Sequence, residues 1–142
     1  VPIQYFYHQI DFSLPQPRKT TAWLMRVAKV HRAAVSDISY IFCTDDYLLE
    51  INQQYLKHDT LTDTITFDYG TAAALVGEIY ISLDRVAENA SMLKVDFQEE
   101  LKRVMVHGLL HLLGLDDKTK AQKQAMRKKE DACLSLWSKR FT

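Results

Sequence analysis

Apolar residues recur along this chain with two different periods, and the changes between them divide it into elements. Ile3 to His8 alternates as a half-buried strand does. After Pro15 and Pro17 the period lengthens to that of a helix over Arg18 to Arg32, with Trp23, Leu24, Val27 and Val30 on one side and Arg18, Arg26, Lys29 and Arg32 spread over another. Asp37 to Cys43 alternates again through Ile38, Tyr40 and Phe42, and Thr44 with Asp45 caps a helix running to about Leu56. Leu61 to Tyr69 and Leu75 to Leu83 are β-branched and aromatic and are joined by a short stretch containing Gly70, the pattern of a hairpin. Asp84 starts a further helix. Asp96 caps the next, whose first turn carries Glu99 and Glu100 to suit the helix dipole and whose Leu101, Val104, Met105 and Leu112 face a core. Lys118 to Lys139 forms a last helix with Met126, Cys133, Leu134 and Trp137 inward. The order β-α-β-α-β-β-α-α-α predicts an α+β fold: one domain over residues 1–142, a single mixed sheet of about four strands packed with about five helices, the helix around His107 central.

That central helix also carries the candidate chemistry. His107 and His111 are four residues apart, so on a helix they stand one above the other with Cβ atoms roughly 6 Å apart, and both imidazoles can reach one ion. Gly114 can take the left-handed conformation that stops a helix and reverses the chain, which would bring Asp116 or Asp117 back over the two histidines. Two imidazoles and a carboxylate suit one zinc ion, whose catalytic sites use three protein ligands and keep a fourth position for water. In a chain with five histidines the bare spacing is a common coincidence; the added Gly and Asp at fixed offsets are what make a metal site the better reading than a pair of packed histidines.

Zinc peptidases with the same His spacing place a Glu directly after the first His as general base. Here that position is Gly108, so a metallopeptidase reading has lost its base. A Gly inside a helix costs roughly 1 kcal/mol against Ala, and Gly108 is better explained as a point where another element packs closely against the metal helix.

Composition and charge narrow the function classes. The longest apolar runs fall far short of a membrane span and the N-terminal residues lack the features of a signal peptide, which leads to the expectation of a cytoplasmic protein without membrane partners. Cys43 and Cys133 are far apart in sequence and read as reduced thiols. The formal net charge is zero, but residues 1–35 carry five basic against one acidic side chain, residues 118–142 eight against two, and residues 36–100 three against thirteen. A neutral protein divided in this way can offer a basic face to a polyanion, although charge blocks are often only solvated surface.

Three segments in order resemble one family. The run His107-Gly108-x-Leu110-His111-Leu112-x-Gly114-x-Asp116-Asp117 is similar to the signature of the YbeY endoribonucleases, bacterial metalloproteins of ribosomal RNA maturation. Asn52-x-x-Tyr55 with Asp59-x-x-Thr62-Asp63-Thr64-Ile65-Thr66-Phe67 resembles that family's helix-to-strand segment, and Gly77-Glu78-Ile79-Tyr80-Ile81 resembles the strand that follows. The resemblance implies a metal-dependent endoribonuclease acting on single-stranded RNA in maturation and quality control of ribosomal RNA, at the 3′ end of 16S rRNA, with the small ribosomal subunit as partner. It also implies that the third ligand is at 117, where the family carries His and this chain carries Asp117, with Asp116 orienting a ligand or capping the turn. The second departure is Leu56, at a position where the family usually carries an Arg implicated in cleavage. Lys57, His58 and Asp63 are the nearest candidates for a catalytic role, each with a plainer reading as a solvated charge, a loop histidine and a turn residue. The basic helices at 18–32 and 118–139 would grip an RNA backbone if they flank the metal cleft. The alternative is a ribosome-associated RNA-binding factor whose zinc is mainly structural.

Overall fold

The computed structural model describes residues 2–56, 62–71 and 73–138. Strand β1 (Ile3–Tyr7), helix α1 (Pro17–Val30), β2 (Val35–Cys43), α2 (Asp45–Leu56), β3 (Thr64–Asp68), β4 (Leu75–Ser82), α3 (Leu83–Leu93), α4 (Phe97–Leu112) and α5 (Lys120–Ser135) follow one another in the order the periodicity predicts. The four strands form one sheet in the order β1-β2-β4-β3, with β1, β2 and β4 parallel and β3 antiparallel at one edge. This is the expected mixed sheet with five helices among the described residues.

Alternation in β2 and β4 decides what covers each face. Ile38, Tyr40 and Phe42 of β2 and Ile79 and Ile81 of β4 enter the main core with Trp23, Leu24 and Val27 of α1 and most of the apolar positions of α4. Their outward neighbour Cys43 joins Leu48 and Ile51 of α2 and Ile65 of β3 in a smaller core on the opposite face. The buried rings have their polar ends satisfied: Trp23 Nε1 donates to the Cys133 carbonyl at 2.8 Å, and the Tyr40 hydroxyl donates to the Met105 carbonyl at 2.8 Å. Helix α4 is central, packed on α1, α3, α5, β3 and β4.

Two close approaches seat α4 on the sheet. A Cβ on Gly108 would lie 2.7 Å from Ile79 Cγ2, and one on Gly77 would lie 2.7 Å from Leu112 Cδ2. The Gly108 contact is the close packing expected from the sequence; the matching one at Gly77 was not. Helix α4 is thereby held tightly against β4, beside edge strand β3.

Local differences from the sequence reading have local causes. Val30, on the side of α1 that carries Trp23, Leu24 and Val27, is 60% exposed at the helix's last residue. Thr62 and Asp63 are not strand, Leu61 lies outside the described residues, and Ser82 N–H donates to the Asp63 carbonyl. Asp96 occupies the N-cap position of α4 without a side-chain cap bond, and α3 is capped by Ser82 rather than opened by Asp84. Helix α5 begins at Lys120, where Thr119 and Gln122 form a reciprocal capping box, and its expected end at Lys139 lies outside the described residues. Cys43 and Cys133 are buried free thiols. No helix among the described residues is long and apolar enough to cross a membrane.

Candidate metal centre

The site begins with the C-terminal half of α4. His107 and His111, one turn apart, present their rings to each other with centroids 4.6 Å apart and Nε2 atoms 3.0 Å apart. The helix then stops as expected: Gly114 has φ +97°, its N–H donates to the His111 carbonyl, and Leu115 N–H donates to the Leu110 carbonyl at 3.1 Å, closing a left-handed C-terminal turn. The reversed chain delivers Asp117, whose Oδ2 is 3.3 Å from His107 Nε2 and whose Oδ1 is 3.6 Å from His111 Nε2. One ligand atom from each of these three residues lies within 4.8 Å of the others. Asp116 is exposed and stands outside this group.

Behind the histidines lies a support that sequence reading missed. Glu130 of α5 accepts at 2.6 Å from His107 Nδ1, and its other oxygen accepts from Arg103 Nη1 at 2.9 Å; Arg103 Nη2 also reaches Asp131 at 2.6 Å. Glu130 is 5% exposed, so its charge requires these partners. With the His107 proton fixed on Nδ1, the Nε2 lone pair is free to face Asp117 and His111, the arrangement by which a second carboxylate orients a metal-binding imidazole. Burial alone would lower the His107 pKa, but the Glu130 hydrogen bond and charge, with Asp117 and Asp63, outweigh it and leave it raised. For Glu130 burial pushes upward, and the bonds and charges of His107 and Arg103 reverse this to a net lowering. A signal was present in the sequence: Glu130 falls four residues after Met126 and three before Cys133, on the buried stripe of α5.

The three side chains stand at the wall of a cleft of about 490 Å³ lined also by Asn52 and Leu56 from α2 and by Thr62, Asp63, Thr64, Ile65, Thr66 and Asp68 along β3. Asp63 is therefore brought to the site. Burial raises its pKa, with the His107 charge acting in the opposite direction. Leu56 is on the cleft wall, whereas Lys57 and His58 lie outside the described residues. The described lining contains no Lys or Arg. Of the two basic helices, α5 alone reaches the site: Arg127 and Glu130 line a neighbouring groove that shares Asp63, His107 and Asp117 with the cleft. Helix α1 lines neither cavity, and its apolar face is committed to the main core. The condition on which the basic helices would grip RNA is therefore approached by α5 and not by α1.

The donors fit one metal ion. Ligand atoms held at about 2.0–2.1 Å by a tetrahedral ion lie roughly 3.3 Å from one another; here the two Nε2 atoms are 3.0 Å apart, Asp117 Oδ2 is 3.3 Å from His107 Nε2, and Asp117 Oδ1 is 3.6 Å from His111 Nε2, with one atom from each residue inside 4.8 Å of the others. The cleft side of the group is open, leaving room for a fourth, exchangeable ligand. Such an ion would polarise an oxygen bound to it.

Comparison with known proteins agrees with this geometry. The family described as Endoribonuclease YbeY matches residues 6–138. A protein named Endoribonuclease YbeY from Flavobacterium psychrophilum is 51% identical over 93% of this chain and 94% of its own length. The protein of that name from Amoebophilus asiaticus is 46% identical over 90% of this chain and 88% of its own length. A solution structure of TM1509 from Thermotoga maritima is similar with a TM-score of 0.66 and 26% identity, covering 95% of this chain and 88% of that one.

Proposed function

This chain belongs to the Endoribonuclease YbeY family, and on that premise we propose that residues 1–142 form a metal-dependent endoribonuclease domain acting on single-stranded RNA. Its substrate is ribosomal RNA during maturation and quality control, at the 3′ end of 16S rRNA, with the small ribosomal subunit as partner and the cytoplasm as its place of action. One zinc ion is held by His107, His111 and Asp117. The observation that carries this reading is the convergence of those three ligand atoms, within 4.8 Å, on the wall of an open polar cleft in a chain with that family membership.

The chain's own residues divide the work. His107 and His111 would offer Nε2 to the ion, Glu130 holds the His107 ring through Nδ1, and Asp117 would complete the set with a carboxylate oxygen. When bound, the ion supplies Lewis-acid neutralisation of charge developing on a phosphate oxygen. Asp63 is a cleft carboxyl whose pKa burial raises against the lowering effect of His107, and it is the candidate to hold or pass a proton at Oδ during cleavage. Gly108, directly after the first ligand, excludes the general base of a zinc peptidase.

A second reading, an RNA-binding ribosome factor with a mainly structural zinc, draws on the absence of Lys or Arg from the described cleft wall and on Leu56 there. One experiment separates the two. Zinc-loaded protein is incubated with labelled single-stranded RNA: cleavage that falls by at least about a thousandfold in His111→Ala, with RNA binding kept within about threefold, supports the enzyme. Binding without cleavage by the wild type supports the factor, and loss of both properties in the wild type rejects both readings. A peptide substrate remains uncut.

A further inference from the structure

A cleft that takes a phosphodiester needs cations for the neighbouring phosphates, and the described wall of this one has none. Among the described residues, cations stand in the neighbouring groove. That groove, between α4 and α5 and about 290 Å³, shares Asp63, His107 and Asp117 with the cleft and adds Arg103 and Arg127, which face the acids Glu100 and Glu130. Arg103 is spent on Glu130 and Asp131. Arg127 is exposed and has no hydrogen bond or ion pair among the described residues; the acid acting on it in the groove is the buried Glu100.

Arg127 is not isolated. Lys120, Lys123 and Arg127 are spaced three and four apart and share one flank of α5, beside the buried stripe of Met126, Glu130 and Cys133, and all three are exposed. Asp131, one turn after Arg127 on α5, is bound by Arg103. The rest of the surroundings lacks such compensation: across β2, α2, β3 and β4 the described residues include Glu50, Asp68 and Glu78 but no Lys or Arg, whereas the acids of the groove stand beside Arg103 and Arg127. Helix α1 is no substitute, since it lines neither cavity and its Lys19 sits 4.7 Å over the Trp137 ring.

We infer that single-stranded RNA leaves the metal cleft through the groove between α4 and α5 and runs along the Lys120, Lys123 and Arg127 flank of α5, Arg127 holding the phosphate next to the one at the metal. This rests on the endoribonuclease reading above. It assigns to α5 both the support of His107, through Glu130, and the grip on the strand, one helical turn away.

The test uses the full zinc-loaded chain, a labelled oligoribonucleotide for cleavage and its 2′-O-methyl analogue for binding. In the Lys120→Ala, Lys123→Ala, Arg127→Ala variant, KM rises about tenfold with kcat within about twofold, and the slope of log affinity against log salt becomes shallower by about 2, as expected for three lost contacts to a single strand. An Arg18→Ala, Lys29→Ala variant of α1 changes neither. Thermal melting confirms that both variants fold, which exposed helical Ala favours. A wild-type salt slope in the α5 variant, or an equal loss in the α1 variant, overturns the path while cleavage by the wild type leaves the endoribonuclease reading standing. A wild type that neither binds nor cuts removes both.

Discussion

Helices α1 and α5 look alike as strings of residues, each amphipathic and rich in Lys and Arg, yet they do different things. Helix α1 buries Trp23, Leu24 and Val27 completely and sends no side chain to either cavity at the metal centre. Helix α5 buries Met126 and Cys133 but puts a carboxylate, Glu130, in the same stripe and spends it on His107 and Arg103. The lesson is that an amphipathic helix is identified by what interrupts its apolar face rather than by its charge. A stripe with no buried charge, as on α1 where only Thr20 is polar, is a structural wedge; a buried acid in the stripe marks a helix that serves a site.

The largest expected effect is on the side of the wedge. Trp23→Ala removes a fully buried indole and leaves the Cys133 carbonyl without its donor, so unfolding free energy should fall by about 3–5 kcal/mol. Zinc affinity of the folded fraction should stay within about threefold. Denaturant melts with and without zinc measure both, and a large loss of intrinsic metal affinity would mean that α1 does reach the site.

Next in size is the supporting acid. Glu130→Gln keeps an acceptor for His107 but removes the charge, and zinc affinity should fall about 10- to 100-fold, the usual cost of losing such a partner. The pH dependence gives an independent check. Zinc needs neutral imidazole, and the raised pKa of His107 means that a proton must be displaced, so apparent affinity increases as pH rises through that pKa. In Glu130→Gln the main raising influence is gone and burial lowers the His107 pKa, so the rise should move to lower pH while its plateau drops. In the zinc-free wild type the signs differ. His107, raised, contributes stability that is fully present below its unfolded value near 6.5 and is lost as pH climbs through its folded pKa; Glu130, lowered, contributes stability present above about 4.5 and lost as pH falls through its folded pKa. The ion pair therefore favours the zinc-free fold most between those two pH values. Titration calorimetry across pH, with a rise unmoved by the substitution, would show that Glu130 does not act on His107.

Local patterns explain why so much of this was readable in advance. The pair His107 and His111, the stop at Gly114 and the return of Asp117 all depend on residues within ten positions, where helix geometry fixes distances. The element order follows from periodicity for the same reason. What escaped depends on contacts between distant segments: Glu130 meets His107 across 23 residues, and Gly77 answers Leu112 from another layer. That only one of two basic helices reaches the groove beside the cleft is a fact of packing, invisible to a count of charges. Asp63 lay between, since its turn was legible but its burial beside His107 required the fold.

The smallest expected effect concerns two charges at the edge of the wedge, one on α1 and one on α4. Lys19 of α1 and Lys102 of α4 sit 4.7 and 4.6 Å over the Trp137 ring, and Lys102 also pairs with Glu99 at 2.8 Å. Lys19 and Glu99 are open to water and Lys102 is partly covered, a setting in which an ion pair or a cation over a ring contributes about 0–1 kcal/mol. Trp137 is meanwhile packed edge-on against Trp23 with centroids 5.4 Å apart, so its place is set by apolar contact before either lysine arrives. Replacing both lysines by Met keeps their aliphatic stems, and should change unfolding free energy by no more than about 1 kcal/mol, with zinc affinity and RNA cleavage unaltered. A loss above about 2 kcal/mol would show that the charges of Lys19 and Lys102 hold the Trp137 junction, and the contrast between a wedge that packs by apolar contact and a helix that serves the metal would have to be redrawn.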